Sequence, residues 1–128
     1  MHIFGQRTGK WLNPQGDVIG IGYSGRDDGL NQPSMQSVHD LGPIPQGLYS
    51  IGAPYDSSHS PFTLRLTPHA ENEMHGRDGF LIHGDLVDKP GQHQASQGCI
   101  IMARGVREEI WNSGDHILKV VSGDPPAV

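Results

Sequence analysis

A mostly β domain with one short helix is the fold class this sequence predicts, and three observations predict it. Glycine and proline are abundant, with 18 and 10 copies in 128 residues, so turns recur at short intervals and long regular elements have little room. The apolar runs between those turns are short, and several alternate large with polar residues, the period of a half-buried strand. Only Arg104 to Asn112 carries helical spacing, with Val106 and Ile110 four apart on one face and Gly114 placed to end it.

The elements follow in order. Lys10 to Leu12 and Asp17 to Tyr23 form a hairpin around Asn13-Pro14-Gln15-Gly16, because proline and glycine bracket a turn between two strand-like runs. Ser24 to Gln46 has no period of either kind and is rich in Gly, Asp, Asn, Ser and Pro, so it reads as a long loop. A loop of that length in a small domain generally serves function, and it is expected to wall a substrate cleft. Gly47 to Gly52 and Phe62 to Thr67 alternate as half-buried strands, with Pro68 closing the second. Phe80 to His83 is a short apolar strand ending on a histidine, and Cys99 to Met102 is another, after a loop from Gly84 to Gly98. His116 to Val121 returns as a final strand. One domain spans residues 1–128, and the tail from Ser122 to Val128, with two prolines, is expected to fray.

Composition excludes several partners. The net charge is −5 and the cations are dispersed, which argues against nucleic acid. No apolar run approaches the roughly 18 residues that a membrane span needs. Met1 to Lys10 lacks the apolar core of a secretory signal, so the chain is expected to be made in the cytoplasm without a signal peptide. The eight histidines show neither HExxH nor paired-cysteine spacing, so no metal is expected. His69 and His75 with Glu71 and Glu73 read as a solvated loop, and Asp27-Asp28 and Glu108-Glu109 as exposed acidic pairs. Trp11, Trp111, Tyr23 and Tyr49 read as core or edge packing.

The chemistry concentrates around the single cysteine, Cys99. A lone cysteine is ordinarily a small buried hydrophobe; its neighbours suggest otherwise. His83-Gly84 is followed, after segment 85–95, by Ser96-Gln97-Gly98-Cys99. A thiol attacks a carbonyl at neutral pH when a base takes its proton, and histidine is the usual base. His83 and Cys99, at the ends of adjacent short strands, supply that pair. Gly98 lets the backbone turn tightly and approach a substrate, so the N–H groups of Gly98 and Cys99 are candidates for an oxyanion hole.

HG followed by SxGC at this spacing resembles the catalytic signature of the L,D-transpeptidases, the YkuD-like family. GPIPQGLYSI, Gly42 to Ile51, is similar to a segment preceding the histidine in those domains. VIGIGYSG (Val18 to Gly25), NQPSMQ (Asn31 to Gln36) and GPIPQG together resemble a smaller branch, the DUF2778 or Tlde1-like family, over roughly residues 10–121. The resemblance implies an L,D-transpeptidase-like β-sandwich or barrel-like domain. It also implies an antibacterial effector delivered by type VI secretion, acting in the periplasm of a target bacterium on peptidoglycan stem peptides as an L,D-carboxypeptidase or D-amino-acid exchanger. A cognate immunity protein and a component of the secretion machine would be its partners. The acyl-transfer chemistry that the resemblance implies needs no other cofactor. Carried onto this chain, Cys99 is the nucleophile, His83 the base, Gly84 the carbonyl that orients the imidazole and Ser96 a supporting hydroxyl. The usual SHGC reads Ser-Gln-Gly-Cys here, with Gln97 in place of a second histidine. Gln97, Arg104, the nearest arginine after the cysteine, and Asp40 and Gln36 of the long loop are candidate substrate-binding residues.

Other classes fit less well. Sortase-like transpeptidases also place histidine before cysteine, at a far longer interval, and NlpC/P60 peptidases place cysteine first. A catalytically silent peptidoglycan-binding or adaptor module, with Cys99 structural, is the alternative from another class. Rapid alkylation near neutral pH is expected of an activated cysteine and not of a structural one.

Overall fold

The computed structural model describes residues 1–86 and 91–123. Among these, nine strands form one sheet: β1 (His2–Gly5), β2 (Lys10–Leu12), β3 (Val18–Ile21), β4 (Tyr23–Ser24), β5 (Gly47–Ile51), β6 (Leu64–Pro68), β7 (Leu81–His83), β8 (Ile100–Ile101) and β9 (Ile117–Val121). A single α-helix, α1 (Arg104–Asn112), packs against it with the bounds its spacing predicts. The strand order is β3-β2-β1-β9-β5-β6-β7-β8-β4. The two edge strands, β3 and β4, are consecutive in the chain with only Gly22 between them, so the sheet must curl until its edges nearly meet. The result is the mostly β, nearly closed barrel-like domain with one short helix that the sequence predicts.

Gly22 makes that corner. Its N–H donates to the Gly9 carbonyl at 2.8 Å, and a Cβ there would run into the Ile101 carbonyl, so the close approach of β8 requires glycine. The same corner divides the predicted strand Asp17 to Tyr23: β3 pairs with β2, and Tyr23-Ser24 leaves to pair with β8.

The core lies inside the curled sheet, where Phe4, Trp11, Tyr49, Leu64, Ile82 and Ile100 are completely buried. Each such side chain contributes about 1.5–3 kcal/mol. From α1, Ile110 is fully buried, while Val106 and Trp111 pack at the margin. β1 is an element the sequence reading did not anticipate. It runs parallel to β9 and antiparallel to β2, turning His2 and Phe4 inward. The buried His2 is satisfied: Trp11 Nε1–H donates to its Nδ1 at 3.0 Å, and its Nε2 lies 3.0 Å from the Asp115 carbonyl.

The long loop is irregular, as expected, but ordered by its own hydrogen bonds. Two 3-10 turns, Asp27–Gly29 and Pro33–Met35, sit within it, and Arg26 N–H donates to the Leu41 carbonyl to close its stem. Of the tail expected to fray, residues 124–128 lie outside the described residues.

Candidate active site

β7 and β8 run parallel and adjacent, pairing Ile82 with Ile100 and His83 with Ile101. Cys99 therefore enters β8 level with Leu81, whose N–H donates to Cys99 Sγ at 3.3 Å. Because side chains alternate along strands, Cys99 and His83, offset by two, share one face. Both line a cleft of about 420 Å³, walled by Arg26, His39 and Asp40 of the long loop on one side and by His59 on another.

The imidazole is fixed in orientation and tautomer. Gly84 O accepts from His83 Nδ1 at 2.8 Å; a carbonyl only accepts, so Nδ1 carries the proton and Nε2 the lone pair. His59 stacks on the ring at 4.4 Å between centroids and 14° between planes, and His83 is 2% exposed. Burial, reinforced by the nearby charges of His59 and Arg107 and opposed by the Gly84 bond, depresses its pKa to about 4. Burial pushes the Cys99 thiol up, although the Leu81 N–H and the Arg77 charge favour the thiolate. At rest the pair is therefore a neutral thiol and a neutral base, not an ion pair. A neutral thiol reacts slowly with a small alkylating reagent, so slow alkylation of the resting protein would not by itself mark Cys99 as structural.

Two serines hold the cysteine loop. Ser96 Oγ donates to the Cys99 carbonyl at 2.5 Å and accepts from Gly25 N–H at 2.9 Å and Gly98 N–H at 3.0 Å. Ser24 Oγ donates to the Gly98 carbonyl at 2.7 Å and accepts from Ile44 N–H at 2.8 Å. Gly98 has φ +135°, and a Cβ there would lie 2.5 Å from an Arg77 nitrogen and 2.7 Å from the Phe80 ring, so only glycine fits. Its N–H, however, is already bound to Ser96. Of the two expected oxyanion donors this removes Gly98 and leaves the Cys99 N–H.

The residue that sequence reasoning missed most plainly is Arg77. It is 6% exposed and donates four hydrogen bonds to carbonyls: from Nη1 to Gln36 at 2.7 Å and Pro43 at 2.8 Å, and from Nη2 to Gly42 at 3.0 Å and Gln97 at 2.9 Å. Its guanidinium also lies 5.2 Å from the Phe80 ring centroid. One side chain thus ties the long loop to the segment carrying Cys99. A second clamp is Asp85, which accepts from Tyr23 OH at 2.7 Å and from Gly91 N–H at 2.9 Å, pinning the segment after His83.

The substrate-binding candidates divide. Gln97 and Asp40 both line the cleft and are exposed, and Arg26 Nε–H donates to the Asp40 carbonyl at 3.0 Å. Gln36 does not line it: its Oε1 accepts from Gln6 Nε2 at 3.1 Å and Gln46 N–H at 3.0 Å, a commitment to holding the loop. Arg104 also lies elsewhere, over the Phe62 ring at 5.9 Å and beside a second cavity. It opens α1, after the chain has left β8, and is carried away from Cys99.

Searches of curated proteins and of solved structures return no match. A family model, the Tlde1 domain, matches residues 20–122, from β3 through β9, and so encompasses His83, Ser96, Cys99 and the clamp residue Arg77. The chain belongs to the Tlde1 domain family, a family of type VI effectors.

Proposed function

We propose that this protein is a cysteine enzyme of the L,D-transpeptidase type that cleaves the bond between the L-centre of meso-diaminopimelate and D-Ala in peptidoglycan tetrapeptide stems. The observation that carries the reading is the sharing of one cleft by Cys99 and a histidine whose Nδ1 is tied to Gly84. Cys99 Sγ attacks the carbonyl carbon while its proton passes to His83 Nε2, and the oxyanion faces the Cys99 N–H. The carbon–nitrogen bond then breaks, His83 returns the proton to the leaving amine, and D-Ala departs. A thioester remains on Cys99. Water, deprotonated by His83, releases a tripeptide; a free D-amino acid attacking instead gives exchange. Ser96 and Arg77 act by holding Cys99, not by touching substrate.

Such a substrate lies outside the cytoplasmic membrane. The reading therefore places action in the periplasm of a target cell, with a cognate immunity protein protecting the producer. Incubating the purified chain with defined muropeptides tests it by mass: loss of one D-Ala from tetrapeptides, with tripeptides untouched, is expected. Unchanged tetrapeptides would favour a silent binding module built on the same fold.

A further inference from the structure

A second cavity, of about 540 Å³, opens beside the turn that follows His83, lined by Tyr23, Gly84, Asp85, Met102, Arg104 and Arg107 among others. Three features of its wall are electrostatically unfavourable in the bare protein. Arg107 is 4% exposed, its Nε is buried without a hydrogen-bond partner among the described residues, and Nη1 reaches only the neutral Ser60 hydroxyl at 3.1 Å. Among the described residues its other offset is the charge of Glu108 on α1, and a guanidinium buried with that little compensation is costly. Arg104 adds a second cation on the same helical turn. Both stand at the N-terminal end of α1, where the helix dipole is already positive; no side chain caps that end and its first turn holds no acidic residue. All three point the same way: an anion in this cavity would offset the two cations and the helix end together, through the part of Arg107 that lines it, Nε itself being buried.

We infer that this cavity is a binding site for a small carboxylate, held by Arg107 and Arg104 at the start of α1. The charge balance selects a monoanion. Asp85 shares the wall and opposes a second negative charge, which disfavours a phosphate dianion. Ile21, Ile101, Met102 and Ala103 give part of the wall an apolar face, beside Tyr23 and His93, and that face suits a short aliphatic group attached to the carboxylate. The site is distinct from the Cys99 cleft and does not depend on the reaction proposed there. It does adjoin it: Ser60 Oγ takes both the Arg107 bond and the Gly84 N–H, at 2.9 Å, and Gly84 O holds His83. Neutralising Arg107 would also remove one of the charges that depress the His83 pKa.

Amide NMR of the full chain, titrated with sodium acetate and with sodium phosphate against chloride at constant ionic strength, tests this directly. Acetate is expected to give saturable shifts centred on Gly84 and residues 102–107, and to raise the pKa of the His83 ring. Arg104→Ala, a surface change that leaves the core intact, is expected to weaken acetate binding at least threefold. Arg107→Met is expected to abolish binding while raising the melting temperature, since it removes an uncompensated buried charge. If Arg107→Met does not fold, Arg104→Ala alone decides. Shifts that do not saturate, that chloride reproduces, or that survive Arg104→Ala unchanged would overturn the site, and tighter binding of phosphate than of acetate would overturn its assignment to a monocarboxylate.

Discussion

Replacing Arg77 with methionine removes the side chain that makes the most hydrogen bonds between the long loop and the cysteine segment, beside those of Ser24 and Ser96. Four charge-assisted hydrogen bonds, at 2.7–3.0 Å to the Gln36, Gly42, Pro43 and Gln97 carbonyls, represent about 1.5–3 kcal/mol each when taken singly. They are not additive, and methionine also relieves the desolvation of a buried guanidinium, an offset of several kcal/mol. A net destabilisation of about 3–5 kcal/mol follows, in the range for breaking a buried polar network. For a domain of this size about 1 kcal/mol moves the melting temperature by roughly 4 °C, so Arg77→Met is expected to melt about 12–20 °C lower. Arg77→Lys is expected to recover only part of that loss, because an ammonium lacks the planar fork needed to reach carbonyls on two segments. Thermal unfolding followed by circular dichroism reads both. A fall of less than about 4 °C for Arg77→Met would refute the reasoning, showing that the two loops hold their positions without the clamp.

Ser96→Ala strands the Gly25 and Gly98 N–H groups and loosens the Cys99 carbonyl, so it is expected to cost about 2–4 kcal/mol and to lower kcat/KM less than Cys99→Ala does; denaturant unfolding and muropeptide kinetics measure the two effects. With His83 at about pKa 4, its base form persists well below neutrality, and the acid limb of kcat/KM is expected near pH 4, not near 6.5; a limb at 6.5 would show the imidazole to be solvated. The same shift makes stability fall as pH drops from about 6.5 toward 4, because the unfolded chain takes up a proton that the buried ring refuses; His83→Gln should flatten that slope in pH-dependent melting. Replacing Ser34 to Asp40 by a Gly/Ser stretch removes Asp40 and His39 from the cleft wall and is expected to raise KM for muropeptides; an unchanged kcat/KM in a folded variant would separate the loop from substrate binding.

Much of this architecture is legible locally. The helix from Arg104 to Asn112 follows from the spacing of Val106 and Ile110, and β5, β6, β7 and β9 appear within a residue or two of where alternation and apolar runs put them. β1 escapes because its inward positions include His2, a polar residue whose burial depends on a Trp11 hydrogen bond that no local pattern announces. Arg77 escapes for a related reason. In sequence it is one cation in a polar loop, and its partners lie 20–41 positions away. Gln36 and Arg104 show the converse: in an irregular loop, or just past a strand end, no period fixes the direction of a side chain. Cys99 and His83 are readable because each stands at the end of a short apolar run: His83 closes β7 and Cys99 immediately precedes β8, and the pairing of those strands brings them to one face.

Rapid acid quench of the protein with a tetrapeptide muropeptide, followed by intact mass and peptide mapping, tests the proposed chemistry most directly. A transient adduct with the mass of the tripeptidyl group, mapped to Cys99, is expected, with no adduct and no turnover in Cys99→Ala and a folded but inactive His83→Ala. Release of D-Ala by Cys99→Ala at a substantial fraction of the unmodified rate, or an adduct mapped elsewhere, would contradict a Cys99 thioester.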